Sequence, residues 1–377
     1  MTGFDRHEQA LAALAGRSRL RHLIPRAGHD FASNDYLGLA GSAFLRDAAR
    51  AALDRDVAPG AGGSRLLRGN DPEHEALETE AAAFFGAERA LFMGGGFQAN
   101  QALFSTLPMQ GDLVLHDDLI HASAHEGLRL GRADLRAFPH NNVTAAESTL
   151  RDWRAKGGTG RVWIAVESLY SMEGDCAPLA DLAALATTGD AVLVVDEAHA
   201  TGLHGPSGRG LTGGMDHANL LTLHTCGKGL GVSGALICGA APLIDMLINK
   251  ARPFIFATAP SPLNAALVRA ALRDLQTNPA RRETAQALIA HAHGTLAHHG
   301  LGPFTSQILP ILTGTEARTM QLVTRMQARG FDIRGVRPPT VPRGTSRLRI
   351  SITGNVTPAV ITAMAETLAE ELESLPA

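Results

Sequence analysis

Apolar positions along this chain follow two alternating rhythms. Short, largely apolar runs occupy residues 162–166, 192–195 and 220–223, each followed by polar or glycine-rich positions. Runs of this length predict strands buried on both faces. Helical spacing fills much of the intervening sequence. Asp71 and Pro72 predict a helix over 73–85, with Asp71 as N-cap, Pro72 in the first helical position and Gly86 as the stop. A Leu/Ala stretch at 179–186 predicts a further helix before the strand at 192. Buried strands separated by helices predict a parallel-rich α/β sheet, whose ligand sites lie at strand carboxyl ends.

Past Pro260 the pattern changes. Helical stretches at 262–275, 280–299 and 316–328 surround strands that include 306–312 and 347–352, and Thr357-Pro358 caps a final helix. The expected organisation is an N-terminal helical arm over 1–40, a large α/β domain over 41–257 and a smaller C-terminal α+β domain over 258–377. No internal repeat or low-complexity tract interrupts it.

Composition narrows the class. A length of 377 residues supports two or three domains with a large core. Lys plus Arg number 34 against 37 Asp plus Glu, a net charge of −3 that argues against polyanion binding, so no nucleic-acid partner is expected. With 45% apolar and 19% charged residues the chain suits a folded enzyme, and no apolar stretch is long enough for a membrane span. The amino-terminal segment carries charges throughout, so it predicts an amphipathic helix and not a secretory signal. Cys176, Cys226 and Cys238 are dispersed and odd in number, which fits a reducing cytoplasm.

The chemistry concentrates at two strand endings. One strand delivers Asp196 in Asp-Glu-Ala-His; the next delivers Thr225 and then Lys228 among glycines. If the strands are parallel neighbours, a carboxylate and an amine meet at one rim. A desolvated lysine suits Schiff-base chemistry, and pyridoxal phosphate needs such a lysine plus a carboxylate for its ring nitrogen; a solvated lysine and a capping aspartate are the bland alternative. The glycine-rich run at 94–96 opens a helix and could hold a phosphate on free N–H groups, or simply form a tight turn. Three other motifs fail on context. Gly229-x-Gly231-x-x-Gly234 leads into an apparent strand at 235 where a dinucleotide site requires a helix. The acidic tetrad at 196–199 resembles a helicase box but has no phosphate loop upstream. His121 with His125, and His199 with His204, lack the ligands that would complete a zinc site, so no metal is expected.

Taken together, SNDYLGL (33–39), GAGGSRLLRGN (60–70), HAS (121–123), ESLYSMEGDCAPL (167–179), DEAHATGLHG (196–205), TCGKGLGVSGA (225–235), RPPTVPRGT (337–345) and RLRI (347–350) resemble the α-oxoamine synthases, in family order over nearly the whole chain. The resemblance implies the pyridoxal-phosphate-dependent fold type I, a homodimer, and acyl transfer to an amino acid. DEAHATG, GKGLGVSGA and RPPTVP point within it to condensation of L-alanine with a pimeloyl thioester, carried by coenzyme A or by a carrier protein; glycine acetyl transfer is the alternative.

Position by position, the resemblance implies that Lys228 bonds covalently to the cofactor and that Asp196 pairs with its ring nitrogen. His199, helped by Ser171, would reach the phenolic oxygen, and His121 would stack on the ring. Gly96, Phe97 and Thr225 would hold the phosphate, with Thr258 reaching it from a partner subunit. Arg349 and Asn34 would bind the amino acid carboxylate, and Arg21 and Thr340 the acyl substrate. Two departures stand out. Cys226 replaces a residue that is often aromatic, and the segment before Ser33 is short, without the hairpin expected there.

Overall fold

The computed structural model describes residues 3–216 and 218–375, so the outer limits of the expected domains, 1 and 377, lie outside the described residues. Its strands, in chain order, are β1 (His29–Asp30), β2 (Arg89–Met93), β3 (Leu113–Asp117), β4 (Asp134–Phe138), β5 (Val162–Glu167), β6 (Ala191–Asp196), β7 (Leu220–Thr225), β8 (Ala235–Gly239), β9 (Ile308–Gly314), β10 (Phe331–Asp332), β11 (Arg334–Val336) and β12 (Ser346–Ser351).

Two units divide the chain. The larger comprises Leu37–Ser171 and Cys176–Glu283. Its sheet runs β2-β8-β7-β6-β5-β3-β4, with β8 antiparallel to both neighbours and the remaining pairs parallel. Strands β3, β5 and β7 are buried along their whole length, and β6 is buried up to Asp196. That is why they carry mostly apolar runs in place of alternation. One layer of the core gathers Leu103, Phe104, Trp163, Leu221 and Ile237; the opposite layer gathers Leu115, Ile164, Leu182 and Val195.

The expected helix after Asp71 is Pro72–Phe85. The Asp71 side chain accepts from the Glu73 N–H, the His74 ring returns to the Asp71 N–H, and Gly86 closes the helix in the left-handed region at φ 80°. The expected boundary at 257/258 is corrected to Glu283/Thr284. The physical reason is the helix Pro262–Thr277, which packs on Pro72–Phe85 and Ala43–Leu53. Arg269 pairs with Glu73 and Glu80, and Arg273 with Glu80, so this helix is joined to the larger unit by charge as well as by apolar contact. The boundary at 40/41 likewise moves, to Tyr36/Leu37: Leu37 and Leu39 are buried in the larger unit.

The smaller unit combines the described residues up to Tyr36, Met172–Asp175 and those from Thr284 onward. Its sheet has the order β11-β12-β9, all antiparallel, and β1 pairs in parallel with β10. Leu309, Leu348, Ile350, Met364 and Leu368 lie in its core. The amino-terminal arm is therefore not a separate body. Its helix Asp5–Gly16 buries no residue, but the following segment is tied down by the Arg19–Glu316 ion pair at 2.5 Å and by an Arg337 hydrogen bond to the Ser18 carbonyl.

Candidate active site

Strands β6 and β7 are parallel neighbours, with Asp196 level with Leu223, so Asp196 and the loop holding Lys228 leave the sheet at the same end. That loop is a hairpin and not a strand-to-helix turn. The Cys226 N–H donates to the Gly234 carbonyl at 2.8 Å, Val232 N–H to Cys226 at 2.9 Å, and Gly231 N–H to the Lys228 carbonyl at 2.9 Å. The glycine spacing that imitated a dinucleotide fingerprint serves this packing. A Cβ at Gly229 would lie 2.3 Å from the Thr201 carbonyl oxygen, and one at Gly231, where φ is +69°, would lie 2.6 Å from the Ala40 nitrogen.

Lys228 is half-buried, and its Nζ lies 2.7 Å from Nε2 of the buried His199. Asp196 is half-buried too; its Oδ1 accepts from the Ala198 N–H at 2.9 Å and its Oδ2 from Asn100 Nδ2 at 2.8 Å. The adjacent Glu197 has a different task. Fully buried, it accepts from Ser168, Leu211 and both the N–H and hydroxyl of Thr212, although burial pushes its pKa up. One carboxylate holds the loop at 211–212 while its neighbour faces the site. Ser171 is buried behind β5, its N–H donating to Glu167.

His121 caps the helix Ala122–Leu130: its Nδ1 lies 3.2 Å from the Ser123 N–H and 2.7 Å from Ser123 Oγ. Burial lowers its pKa; Asp196 works against that shift and Lys228 adds to it. Asn100 and Ser123, to which the sequence reading gave no role, join this group. Ser123 stands in the 121–123 motif and Asn100 just past the glycine run, but their convergence comes from the helices Gly96–Thr106 and Ala122–Leu130 packing together.

The helix Gly96–Thr106 starts at the glycine run, and the first-turn N–H groups of Gly96 and Phe97 have no intrahelical acceptor. A Cβ on Gly96 would come within 3.3 Å of Thr225 Oγ1, so the glycine leaves a cradle between helix start and threonine. The Phe97 side chain is exposed. An anion of phosphate size suits this cradle, an aldehyde suits the Lys228 amine, and a protonated ring nitrogen suits the acceptor-only Asp196. Pyridoxal phosphate fits these residues. Cys226 is inert: it is fully buried, and burial raises its thiol pKa far above the ordinary range. Among the described residues no cluster of three or more His, Cys, Asp or Glu could hold a metal. His125 instead meets His116 edge-on at 5.3 Å.

Other expected residues lie in the smaller unit or on open surface. Arg349 is buried on β12, its Nη2 donating to Asn34 Oδ1 at 3.0 Å and its Nη1 to Ser351 Oγ at 2.9 Å. Arg21 is exposed on the arm and Thr340 exposed in a turn closed by its N–H on the Arg337 carbonyl. Burial and the nearby Arg21 charge lower the Arg337 pKa, so these positions share a basic neighbourhood. Thr258, in the larger unit, is exposed.

The parallel-rich sheet, the rim lysine with its facing carboxylate and the glycine-rich phosphate cradle define a pyridoxal-phosphate-dependent enzyme of fold type I. The comparisons agree. The chain belongs to the aminotransferase class I and II family, whose profile matches residues 28–368. It is 40% identical over 355 residues to an 8-amino-7-oxononanoate synthase of Anaeromyxobacter dehalogenans strain 2CP-1, covering 93% of this chain and 88% of that protein. It is similar to the S. paucimobilis serine palmitoyltransferase solved with a bound PLP–myriocin aldimine, at a TM-score of 0.89 and 26% identity over 98% of each chain. The 8-amino-7-oxononanoate synthase structure from Francisella tularensis matches at a TM-score of 0.76 and 28% identity, covering 92% of this chain and 98% of that one.

Proposed function

We propose that this chain catalyses the decarboxylative condensation of L-alanine with a pimeloyl thioester. The products are 8-amino-7-oxononanoate, carbon dioxide and a free thiol, the chemistry of a biotin-pathway acyltransferase. The observation that carries the reading is the Lys228 amine held at 2.7 Å from His199 on the loop that follows the Asp196 strand end. Relatives bearing that enzyme name at 37–42% identity over most of the chain support it.

When bound, pyridoxal phosphate supplies an aldehyde for the amino group and an electron-withdrawing ring that stabilises negative charge on the α-carbon. Gly96, Phe97 and Thr225 would hold its phosphate, with Thr258 reaching the phosphate of a partner's site. Asp196 would face its ring nitrogen, while His199 and Ser171 would serve its phenolic oxygen. Arg349 and Asn34 bind the alanine carboxylate; a planar guanidinium suits that group better than an ammonium. Lys228 Nζ takes the α-proton and returns one to the same carbon after carbon dioxide leaves. A carbon–carbon bond forms between the α-carbon and the acyl carbon, and the carbon–sulfur bond breaks. His121 donates a hydrogen bond to the acyl oxygen as its negative charge grows. Arg21 and Thr340 meet the acyl donor, and the exposed Arg21 guanidinium suits the phosphate groups of a coenzyme A or carrier-bound thioester.

Exposed Leu67 and Phe256 on the larger unit support a homodimer. A cytoplasmic enzyme accords with three free cysteines, and no described helix is long and apolar enough to cross a membrane. The test is mass analysis of products from alanine, glycine and serine, each with pimeloyl, acetyl and succinyl thioesters. Product from alanine and a pimeloyl donor alone is expected; product from glycine with an acetyl donor would replace this reading with glycine acetyl transfer.

A further inference from the structure

Beyond the residues already given roles, the larger unit holds a continuous polar chain from Asp196 to His121. Asn100 Nδ2 is 2.8 Å from Asp196 Oδ2 and 2.9 Å from Ser123 Oγ, and Ser123 Oγ is 2.7 Å from His121 Nδ1. Asn100 and Ser123 are buried, and the cavity beside them has room for roughly one water. Apolar Phe104, Ile120 and Leu223 line that cavity. The two middle links, Asn100 and Ser123, are thus shielded from water, while Asp196 at one end is half-buried and His121 at the other is exposed.

Its hydrogen-bond polarity can be worked out. An ionised Asp196 only accepts, so the atom of Asn100 facing it is the amide nitrogen, and the same nitrogen supplies a proton to Ser123 Oγ. The Ser123 hydroxyl is then free to donate onward. What decides the last link is the Ser123 backbone N–H, 3.2 Å from His121 Nδ1. A backbone N–H cannot accept, so a proton on Nδ1 would face another donor. Nδ1 must be the acceptor.

We propose that Asn100 and Ser123 are positioning residues that hold His121 as a neutral ring with its proton on Nε2, in a relay anchored on Asp196. The lowered pKa of His121 accords with this, because protonating Nδ1 would break two hydrogen bonds as well as charge a desolvated ring. The groups that bear on it are Asp196 at the end of β6, Lys228 in the hairpin after β7, Glu167 of β5 across the cavity, and His125 one turn along its own helix. The consequence for catalysis rests on the proposed reaction. His121 serves as a hydrogen-bond donor through Nε2 and is barred from acting as the base, which leaves proton abstraction to Lys228. The tautomer itself does not depend on that reading.

The test uses full-length protein carrying nitrogen-15 histidine, with and without added pyridoxal phosphate, and the His121→Gln variant to assign the signal. Wild type is expected to show the Nε2–H tautomer, with a protonation midpoint below the ordinary value of about 6.5. Ser123→Ala keeps the backbone N–H but loses the hydroxyl. It should raise the midpoint by roughly half a unit or more and lower kcat about tenfold, with the alanine KM changed less than about twofold. Ser123→Thr should restore both. An Nδ1–H tautomer in wild type, or a wild-type midpoint in Ser123→Ala, overturns the relay. If Ser123→Ala does not fold, the wild-type tautomer alone decides. Observation of the expected tautomer without any visible band on adding pyridoxal phosphate would sink the cofactor reading and leave the relay standing.

Discussion

The Lys228 amine and the His199 ring share a close contact in which neither partner is anionic. Through that hydrogen bond His199 positions the amine at the rim. Replacing Lys228 by Ala is expected to cut turnover by at least about a thousandfold and to abolish the visible absorption that pyridoxal phosphate gives on the wild type. Product assays and absorption spectra together check this. Arg349 is a second cation held by uncharged groups. Its guanidinium contacts two neutral partners, Asn34 and Ser351. Arg349→Ala should raise the alanine KM roughly 30-fold, from loss of about 2 kcal/mol of charge-assisted hydrogen bonding, and leave cofactor affinity nearly unchanged. Equal effects on the two would remove it from carboxylate binding.

At the scale of elements, the start of Gly96–Thr106 is the most sensitive place. Gly96→Ala puts a methyl group within 3.3 Å of Thr225 Oγ1, which must then shift. An approximately tenfold weaker affinity for pyridoxal phosphate is expected, measurable by fluorescence titration of the apoprotein; unchanged affinity would move the phosphate elsewhere. Elements were also where the sequence was most legible. The helix after Asp71 could be placed to the residue because N-cap, first-turn proline and stop glycine are local signals. Asp196 and Lys228 could be paired because each follows a buried strand, and neighbouring parallel strands deliver their ends to one rim. Asn100 and Ser123 could not be paired, since nothing in either helix encodes which face meets the other. The boundary near Pro260 was misleading for a related reason. That proline marks a change of composition, but Pro262 begins a helix whose apolar face and two arginines are satisfied in the larger unit.

For the molecule as a whole, two histidines with lowered pKa values weaken the fold toward acid. Burial lowers the pKa of His74, only partly offset by its hydrogen bond to the Pro260 carbonyl, and burial with the nearby His116 lowers that of His125. Both groups bind fewer protons folded than unfolded. Their contribution to stability is present above the unfolded value of about 6.5 and is lost as pH falls from there through their folded pKa values. Urea unfolding followed at falling pH should therefore show stability declining from about pH 6.5 downward, before the carboxylates titrate. A flat profile across that interval would contradict it.

The hairpin after β7 has one more consequence. Gly229 and Leu230 are buried just beyond Lys228, whereas every residue from Arg21 to His29 is exposed and most lie outside any strand or helix. Trypsin cuts after either basic residue but favours accessible, pliable chain. Brief digestion of the native protein should therefore nick it after Arg21 or Arg26 and release the amino-terminal peptide, while the bond after the lysine at 228 survives in the large fragment.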